Sequence, residues 1–455
     1  MRHVVLISAP WRDPVWAAAP WRDEPFACAM ISGGQAGRWS YLLRDPDATL
    51  TVTADDPRDP FEALAQLVGP PQAMDPDGPP FQGGVAGLAA YELGDRVEHL
   101  DLPRTGWPDL ACARYPALLA FDHLQRRVLA IGRGGSQSFA RVRAEAALGW
   151  LNADSPDLHE GTLCEALSVS ADEAYEAAVA DVVERIVGGE IFQANIARAW
   201  TGRLAAGAHP FDLFARLRAD SPAPFSAYLR LPGRALVSNS PERFLKVTAK
   251  DGAGDLTIET RPIKGTRPRG ADQAEDARLM AELSASAKDR AENLMIVDLM
   301  RNDLARVSPP GSVAVPELFR VETFANVHHL VSTVTGRLAP GLAAADLLRA
   351  AFPPGSITGA PKVQAMKVIA QLETARGPYC GSLFWAGVDG ALESSVLIRT
   401  VGLEQDPPEQ EDGGWRLEAR AGAGIVADSD PHAERLETEA KFAALRRALM
   451  EPPRG

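Results

Sequence analysis

The sequence predicts an α+β protein, with antiparallel sheets layered against long helices. Three observations carry that expectation. Short apolar runs bounded by turn residues fill the first 150 positions, longer segments carry helical periodicity, and the strands between them look like hairpins rather than a regular strand–helix alternation. The length of 455 residues suits two or three domains, and 46% apolar with 24% charged residues is an ordinary globular mixture. A polar, turn-rich stretch from Asn152 to Glu165 is the natural boundary. It divides the chain into a subdomain over 1–150, a linker over 151–168 and a core over 169–450.

Taken in order, Val4 to Ile7, Ala117 to Phe121 and Val128 to Ile131 are apolar runs of strand length. Tyr175, Val179, Val182, Val183 and Ile186 recur at helical spacing across Asp172 to Val187, with Ser170 or Asp172 as the cap. Ala235 to Ser238 and Phe244 to Val247 read as a hairpin, followed by a strand near Leu256 to Glu259. A long helix is expected from about Asp272 to Leu304 with a break near Ser284, and another begins near Ala360. Val396 to Val401 and Arg416 to Ala421 read as strands around an acidic turn, Glu404 to Gly414. A last helix covers His432 to Met450.

The 47 basic and 60 acidic residues leave a net charge of −13, which disfavours general attraction to nucleic acid or anionic membranes. An anionic ligand must therefore meet a local cluster of cations or a metal. Four cysteines, Cys28, Cys112, Cys164 and Cys380, lie far apart without paired spacing, which predicts a reducing compartment and neither disulfides nor a zinc site. With no signal-peptide pattern and no apolar run of about 18 residues, a soluble cytoplasmic protein is expected.

Several segments have the composition of a reactive site. Asp289 and Glu292 share a helix face, as do Glu434 and Glu437, with Lys441 four positions further. Two such helices brought face to face suit a hard cation such as Mg²⁺, and left apart they are solvated surfaces. Around Lys264, the cations Arg261, Arg267 and Arg269 alternate with prolines. That stretch reads either as an exposed basic turn or as a rigid loop whose arginines depress the lysine's pKa and free a nucleophilic amine. The small-residue turn from Phe352 to Lys362 offers backbone N–H groups to an oxyanion but lacks a phosphate-loop ending. Gly422 and Gly424 suit either close approach to a ligand or a tight turn, and the His328-His329 pair suits either acid–base or structural duty. Arg399, ending an apolar strand, needs an anionic partner.

In this order the segments resemble one family, the chorismate-utilising enzymes. The matching stretches are PFQGGVAGLAAYELG (80–94), GEIFQANIAR (189–198), NSPERFL (239–245), RPIKGTRPRG (261–270), KDRAENLMIVDLMRNDL (288–304), VHHLVSTVTGRL (327–338), FPPGSITGAPKVQAM (352–366), RGPYCGSLFWAGVDG (376–390), VLIRT (396–400) and GAGIVADSDPHAERLETEAK (422–441). The resemblance implies two stacked antiparallel sheets flanked by helices, with the chorismate pocket between them. It implies that Glu292 and Glu437 bind Mg²⁺, with Asp289 and Glu434 one turn earlier acting through water. Asp289 stands where glutamate is frequent, Asn293 where histidine is common, and Pro354 in place of a frequent glycine. Arg399 and Tyr379, with the backbone of Gly422 and Gly424, would engage the enolpyruvyl carboxylate. Thr358 would line the ring-carboxylate side, and His329 would face the substrate.

Two positions discriminate within the family. Isochorismate- and salicylate-forming members carry a lysine base where this chain has Gln193, which cannot activate water. Members making anthranilate usually have alanine where this chain has Lys264. That pattern implies amination at ring carbon 4, with Glu242 as general acid and Lys264 as covalent nucleophile. It also implies ammonia from a separate glutamine amidotransferase subunit, since nothing in the chain resembles a glutaminase. The sequence ends about 14 residues after Lys441, so no fused lyase is expected. The competing expectations are an anthranilate-forming enzyme and a non-catalytic module binding chorismate or tryptophan. Related chains hold tryptophan near the counterpart of Arg38 to Leu43, without residues here that decide the matter.

Overall fold

The computed structural model describes residues 3–33, 37–250, 255–323, 327–407 and 414–453. Two antiparallel sheets stack against one another. The first has twelve strands, ordered His3–Pro10, Arg127–Gly134, Ala117–Asp122, Trp39–Leu43, Cys28–Ile31, Phe225–Leu231, Arg234–Ser240, Thr400–Gln405, Trp415–Ile425, Gln193–Leu204 and Gly359–Ala360. Its twelfth strand, Cys164–Val169, pairs with Gln193–Leu204. The second has ten, ordered Ile263–Pro268, Val327–Arg337, Asp255–Thr260, Arg243–Lys250, Leu392–Val396, Ser382–Gly387, Gly84–Ala89, Leu110–Tyr115 and Ala48–Val52, with Ala314–Thr323 on Val327–Arg337. Leu118 and Leu229 of the first sheet share one buried cluster with Leu88 and Leu383 of the second, so the inner faces make a common core.

Helices Asp172–Val187, Pro210–Asp220 and Pro431–Met450 pack on the first sheet, and Gln273–Ala285 with Ala287–Ala305 on the second. This is the expected α+β sandwich. The last helix starts on Asp430, whose carboxylate accepts from Ala433 N at 2.8 Å ahead of Pro431. It is held down by Phe442, stacked on Trp200 with ring centroids 4.2 Å apart. The long helix expected from Asp272 breaks at Ser286, whose hydroxyl accepts from Asp289 N and starts Ala287–Ala305. Helix Asp172–Val187 has its expected bounds, but Ala171 stands at its start, and neither Ser170 nor Asp172 caps it; Asp172 pairs with Arg198 instead.

Three expectations are corrected. The boundary drawn at 151–168 is not a break in the sheets: the subdomain and the core share both, with Cys28–Ile31 paired to Phe225–Leu231 and Gly84–Ala89 to Ser382–Gly387. The expected linker also contributes the strand Cys164–Val169 to the first sheet. Second, the hairpin at 235–247 does not exist, because Arg234–Ser240 lies in the first sheet and Arg243–Lys250 in the second. Pro241 and Glu242 carry the chain across. Third, the single strand expected over 396–401 is two strands, one in each sheet, and Leu397 to Arg399 make that crossing with Arg399 at φ 51°. Both runs mix apolar residues with polar ones such as Lys246 and Arg399 on either side of the crossing, and local periodicity does not reveal which distant strand a segment pairs with. Gln405 ends a strand, and residues 408–413 of the expected acidic turn lie outside the described residues.

Candidate active site

The two crossings bring Glu242 and Arg399 to the junction of the sheets, where a bulged strand delivers Lys264. Ile263 pairs with Val331 and Thr266 with His329, so Lys264 and Gly265 together face Leu330. Gly265 has φ 84°, and a Cβ there would stand 2.8 Å from Asp289 Cγ, so only glycine fits the bulge. The basic segment is thus a strand, not an exposed turn. Its arginines do not act on the lysine: Arg261 pairs with Glu322, Arg267 with Glu282 and Asp289, and Arg269 with Asp276. Burial is what pushes the Lys264 amine below the usual lysine range, helped by Lys441, while Glu292, Glu242 and Glu437 pull the other way.

Gly422 and Gly424 lie within the strand Trp415–Ile425, not in a turn, and form the floor. A Cβ on Gly424 would stand 2.9 Å from Lys264 Nζ and 3.2 Å from Gln193 Nε2. One on Gly422 would stand 2.9 Å from the Tyr379 hydroxyl and 2.6 Å from Asn195 Oδ1. Among the described residues, neither polar side-chain atom of Gln193 has a protein partner, nor does Asn195 Oδ1, although all three are buried. Orphaned buried polar atoms of this kind are completed by a polar ligand or water.

Glu242 is buried, and that burial lifts its carboxyl to about 7 against the opposing pull of Ser356, Lys264 and Lys441. It is therefore partly protonated near neutrality. Burial and neighbouring Arg399 hold His329 down to about 4, so its ring is neutral; it shares a 2.9 Å hydrogen bond with Thr266. Arg399 has no acid paired with it among the described residues, and burial alone lowers its pKa. Tyr379 is kept neutral by burial and held by a network missed in the sequence. Arg376, buried on Glu373 at 2.8 Å, donates to Asn195 O and Ile357 O and lies 5.7 Å from the Tyr379 ring. Thr358 is fully buried and bonds its own turn through Pro354 O, while its carbonyl accepts from Asn195 N at 2.8 Å.

The acids divide into two kinds. Glu292 and Glu437 border the lysine, and the charge on Glu437 adds to burial in raising the Glu292 pKa. Burial would raise Glu437 as well, but Lys441 at 2.7 Å, Lys264 and Lys288 pull it below the usual range. Glu434 accepts from Ser429 at 2.7 Å, and Asp289 from Arg267 at 3.2 Å. Among the described residues no three acids, cysteines or histidines form a ready-made metal cage. Two carboxylates on separate helices, one partly buried and one half exposed, nevertheless fit a hard cation that a ligand carboxylate and waters would complete.

Lys441, Asn195 and Ser356 also belong to the site. Asn195 follows Gln193 at the strand period of two, a signal that was available in the sequence; Lys441 Nζ donates to Gly422 O at 2.9 Å, and Ser356 had no local signal. A cavity of about 810 Å³ lies elsewhere, lined by Trp39, Tyr41 and Trp385 and reaching Ile263 and Val331 behind the lysine strand. It borders Arg38, Trp39 and Tyr41, in the stretch where the sequence leaves a tryptophan pocket undecided. Among the described residues no helix is long and apolar enough to cross a membrane.

The family model described as chorismate binding enzyme matches residues 27–447. Aminodeoxychorismate synthase component 1 of Klebsiella aerogenes is 40% identical over 95% of this chain and 96% of its own. Anthranilate synthase component 1 of Streptomyces coelicolor is 41% identical over 92% of this chain and 82% of its own. Among solved structures, anthranilate synthase component I from Streptococcus pneumoniae superposes with a TM-score of 0.78 at 28% identity, covering 91% of this chain and 94% of that one. With a family model spanning most of its length and relatives of this identity and coverage, the chain belongs to the chorismate-binding enzymes.

Proposed function

We propose that the protein converts chorismate and ammonia to 4-amino-4-deoxychorismate, the reaction named in its aminodeoxychorismate synthase relatives. The observation that carries this reading is the Lys264 amine, lodged against Gly424 and Gln193 with a lowered pKa, beside a carboxyl that holds a proton near neutrality. An amine of this kind is a nucleophile, and such a carboxyl is a general acid. Glu242 gives its proton to the departing hydroxyl at ring carbon 4 while Lys264 Nζ bonds to carbon 2. Ammonia then bonds to carbon 4 as the carbon 2–nitrogen bond breaks. The lysine, bound as a protonated secondary amine, takes that bond's electron pair and leaves as a free amine, and the new ammonium at carbon 4 returns a proton to the Glu242 carboxylate. Gln193, without a transferable proton equilibrium, does not activate water at carbon 2.

Arg399 and Tyr379 take the enolpyruvyl carboxylate, with the backbone of Gly422 and Gly424 beside them. Thr358 lines the ring-carboxylate side, and neutral His329 offers a hydrogen bond rather than a charge. Glu292 and Glu437 would hold Mg²⁺, with Asp289 and Glu434 behind them, and the ion would supply positive charge for the ring carboxylate in an acidic protein. Replacing Arg399 by Ala removes a guanidinium that has no other anion, so KM for chorismate is expected to rise at least about 30-fold, some 2 kcal/mol, in steady-state assays.

Ammonia comes from a separate glutamine amidotransferase subunit. The purified chain with Mg²⁺ and chorismate is therefore expected to turn over ammonium salts but not glutamine, read by mass spectrometry of the products. Glutamine-dependent turnover by the chain alone contradicts the partner. The 41% identical anthranilate synthase relative favours a second reading, separated in the same assay by fluorescent anthranilate and released pyruvate.

A further inference from the structure

Asn293 neighbours Glu292 on helix Ala287–Ala305 but is fully buried against the second sheet, where Glu292 is partly exposed. Its Nδ2 donates to Pro262 O at 3.4 Å and to Leu330 O at 3.3 Å, and its Oδ1 accepts from Ser332 Oγ at 2.5 Å. Ser332 is also fully buried; its N–H donates to Pro262 O at 3.2 Å, and its hydroxyl accepts from Phe319 N at 3.0 Å.

The two carbonyls that Asn293 grips stand on either side of the bulge. Pro262 enters the strand two residues before Lys264, and Leu330 is the single residue facing Lys264 and Gly265. A bulge interrupts the ladder that would otherwise align its strands, so the direction of the extra residue must be set by something else. Here one amide, with both its donors and its acceptor engaged, joins the two strands to the helix that carries Glu292. A buried network satisfied in this way has one arrangement.

We infer that Asn293 is the positioning residue for Lys264: its amide locks the bulge so that the amine stands between Glu242 and Glu292. It touches no substrate atom, and it acts only through the lysine. The inference rests on Lys264 being the nucleophile. Without the amide, two buried carbonyls lose a donor and the bulge gains alternative conformations.

The test replaces Asn293 by Ala, by Asp, which keeps the shape and the Ser332 bond but loses both donors, and by His, which restores a ring N–H. Two readouts are taken. The first is ammonium-dependent turnover of chorismate. The second is reductive methylation of Lys264 relative to exposed Lys367, followed by peptide mass spectrometry, which needs no product assay. For Ala and Asp, kcat is expected to fall about 10- to 100-fold with KM within about threefold, and Lys264 labelling to shift at least about fivefold relative to Lys367. His is expected to recover much of both. A folded Ala variant with wild-type kcat and labelling overturns the inference, as does a drop in melting temperature with neither readout moved. If Ala fails to fold, Asp decides on the same criteria. A wild-type enzyme that forms another product defeats the proposed function, while the labelling contrast still judges Asn293.

Discussion

Lys264→Ala is expected to bind chorismate with near wild-type affinity while losing amination at carbon 4 by at least about a thousandfold, because covalent catalysis has no substitute here. Saturating ammonium does not rescue it, since ammonia attacks only after the lysine has displaced the hydroxyl. Affinity is expected to survive because the proposed chorismate anchors, Arg399 and Tyr379, lie on other elements. Product formation by mass spectrometry and chorismate binding by calorimetry separate the two effects. Unchanged amination at saturating ammonium would remove the covalent role and leave Lys264 as a binding cation.

Glu242→Gln is the second large effect. The amide cannot protonate a leaving hydroxyl, so kcat is expected to drop about 10²- to 10⁴-fold. The pH profile gives the sharper test. With its carboxyl raised to about 7, Glu242 contributes a break near neutrality, above which the protonated fraction falls tenfold per pH unit. That break disappears in the glutamine variant. The same substitution has the opposite effect on stability. The folded state holds this proton more tightly than the unfolded chain, so stability is lost as pH rises from the ordinary carboxyl range through 7. By pH 8 the buried carboxylate costs about 3 kcal/mol, and Glu242→Gln is expected to recover that in denaturant melts at pH 8 and nothing at pH 4. A site that stores instability where it needs a proton donor is a common trade in enzymes.

Lys264 was legible as a candidate nucleophile through the resemblance, as an amine where anthranilate-forming members usually have alanine, with Gln193 where isochorismate-forming members carry a lysine base. Helices Pro431–Met450 and Ala287–Ala305 were legible because their apolar residues repeat at helical spacing, and the paired acids followed from the same geometry. The reason given for the lysine's low pKa was wrong. Adjacent arginines look decisive along a chain, but each has an acid of its own in space, and burial does the lowering instead. The hairpin at 235–247 failed for a related cause: strand-like composition on both sides of Pro241 does not say which sheet each strand joins, and pairing depends on partners far away in the chain.

Residue chemistry and local period therefore determined the α+β class, the helices, the acidic pairs and the family, since each depends on neighbours within a few positions. Only the tertiary structure decided that Glu242 and Arg399 stand at crossings between sheets, that Lys264 rides a bulge, and that Arg376 and Lys441 support the pocket. Those features arise from contacts between residues tens to hundreds of positions apart, where burial and paired charge set what each group can do. A linear pattern carries the groups themselves; the dielectric and the partners around them exist only once the sheets have closed.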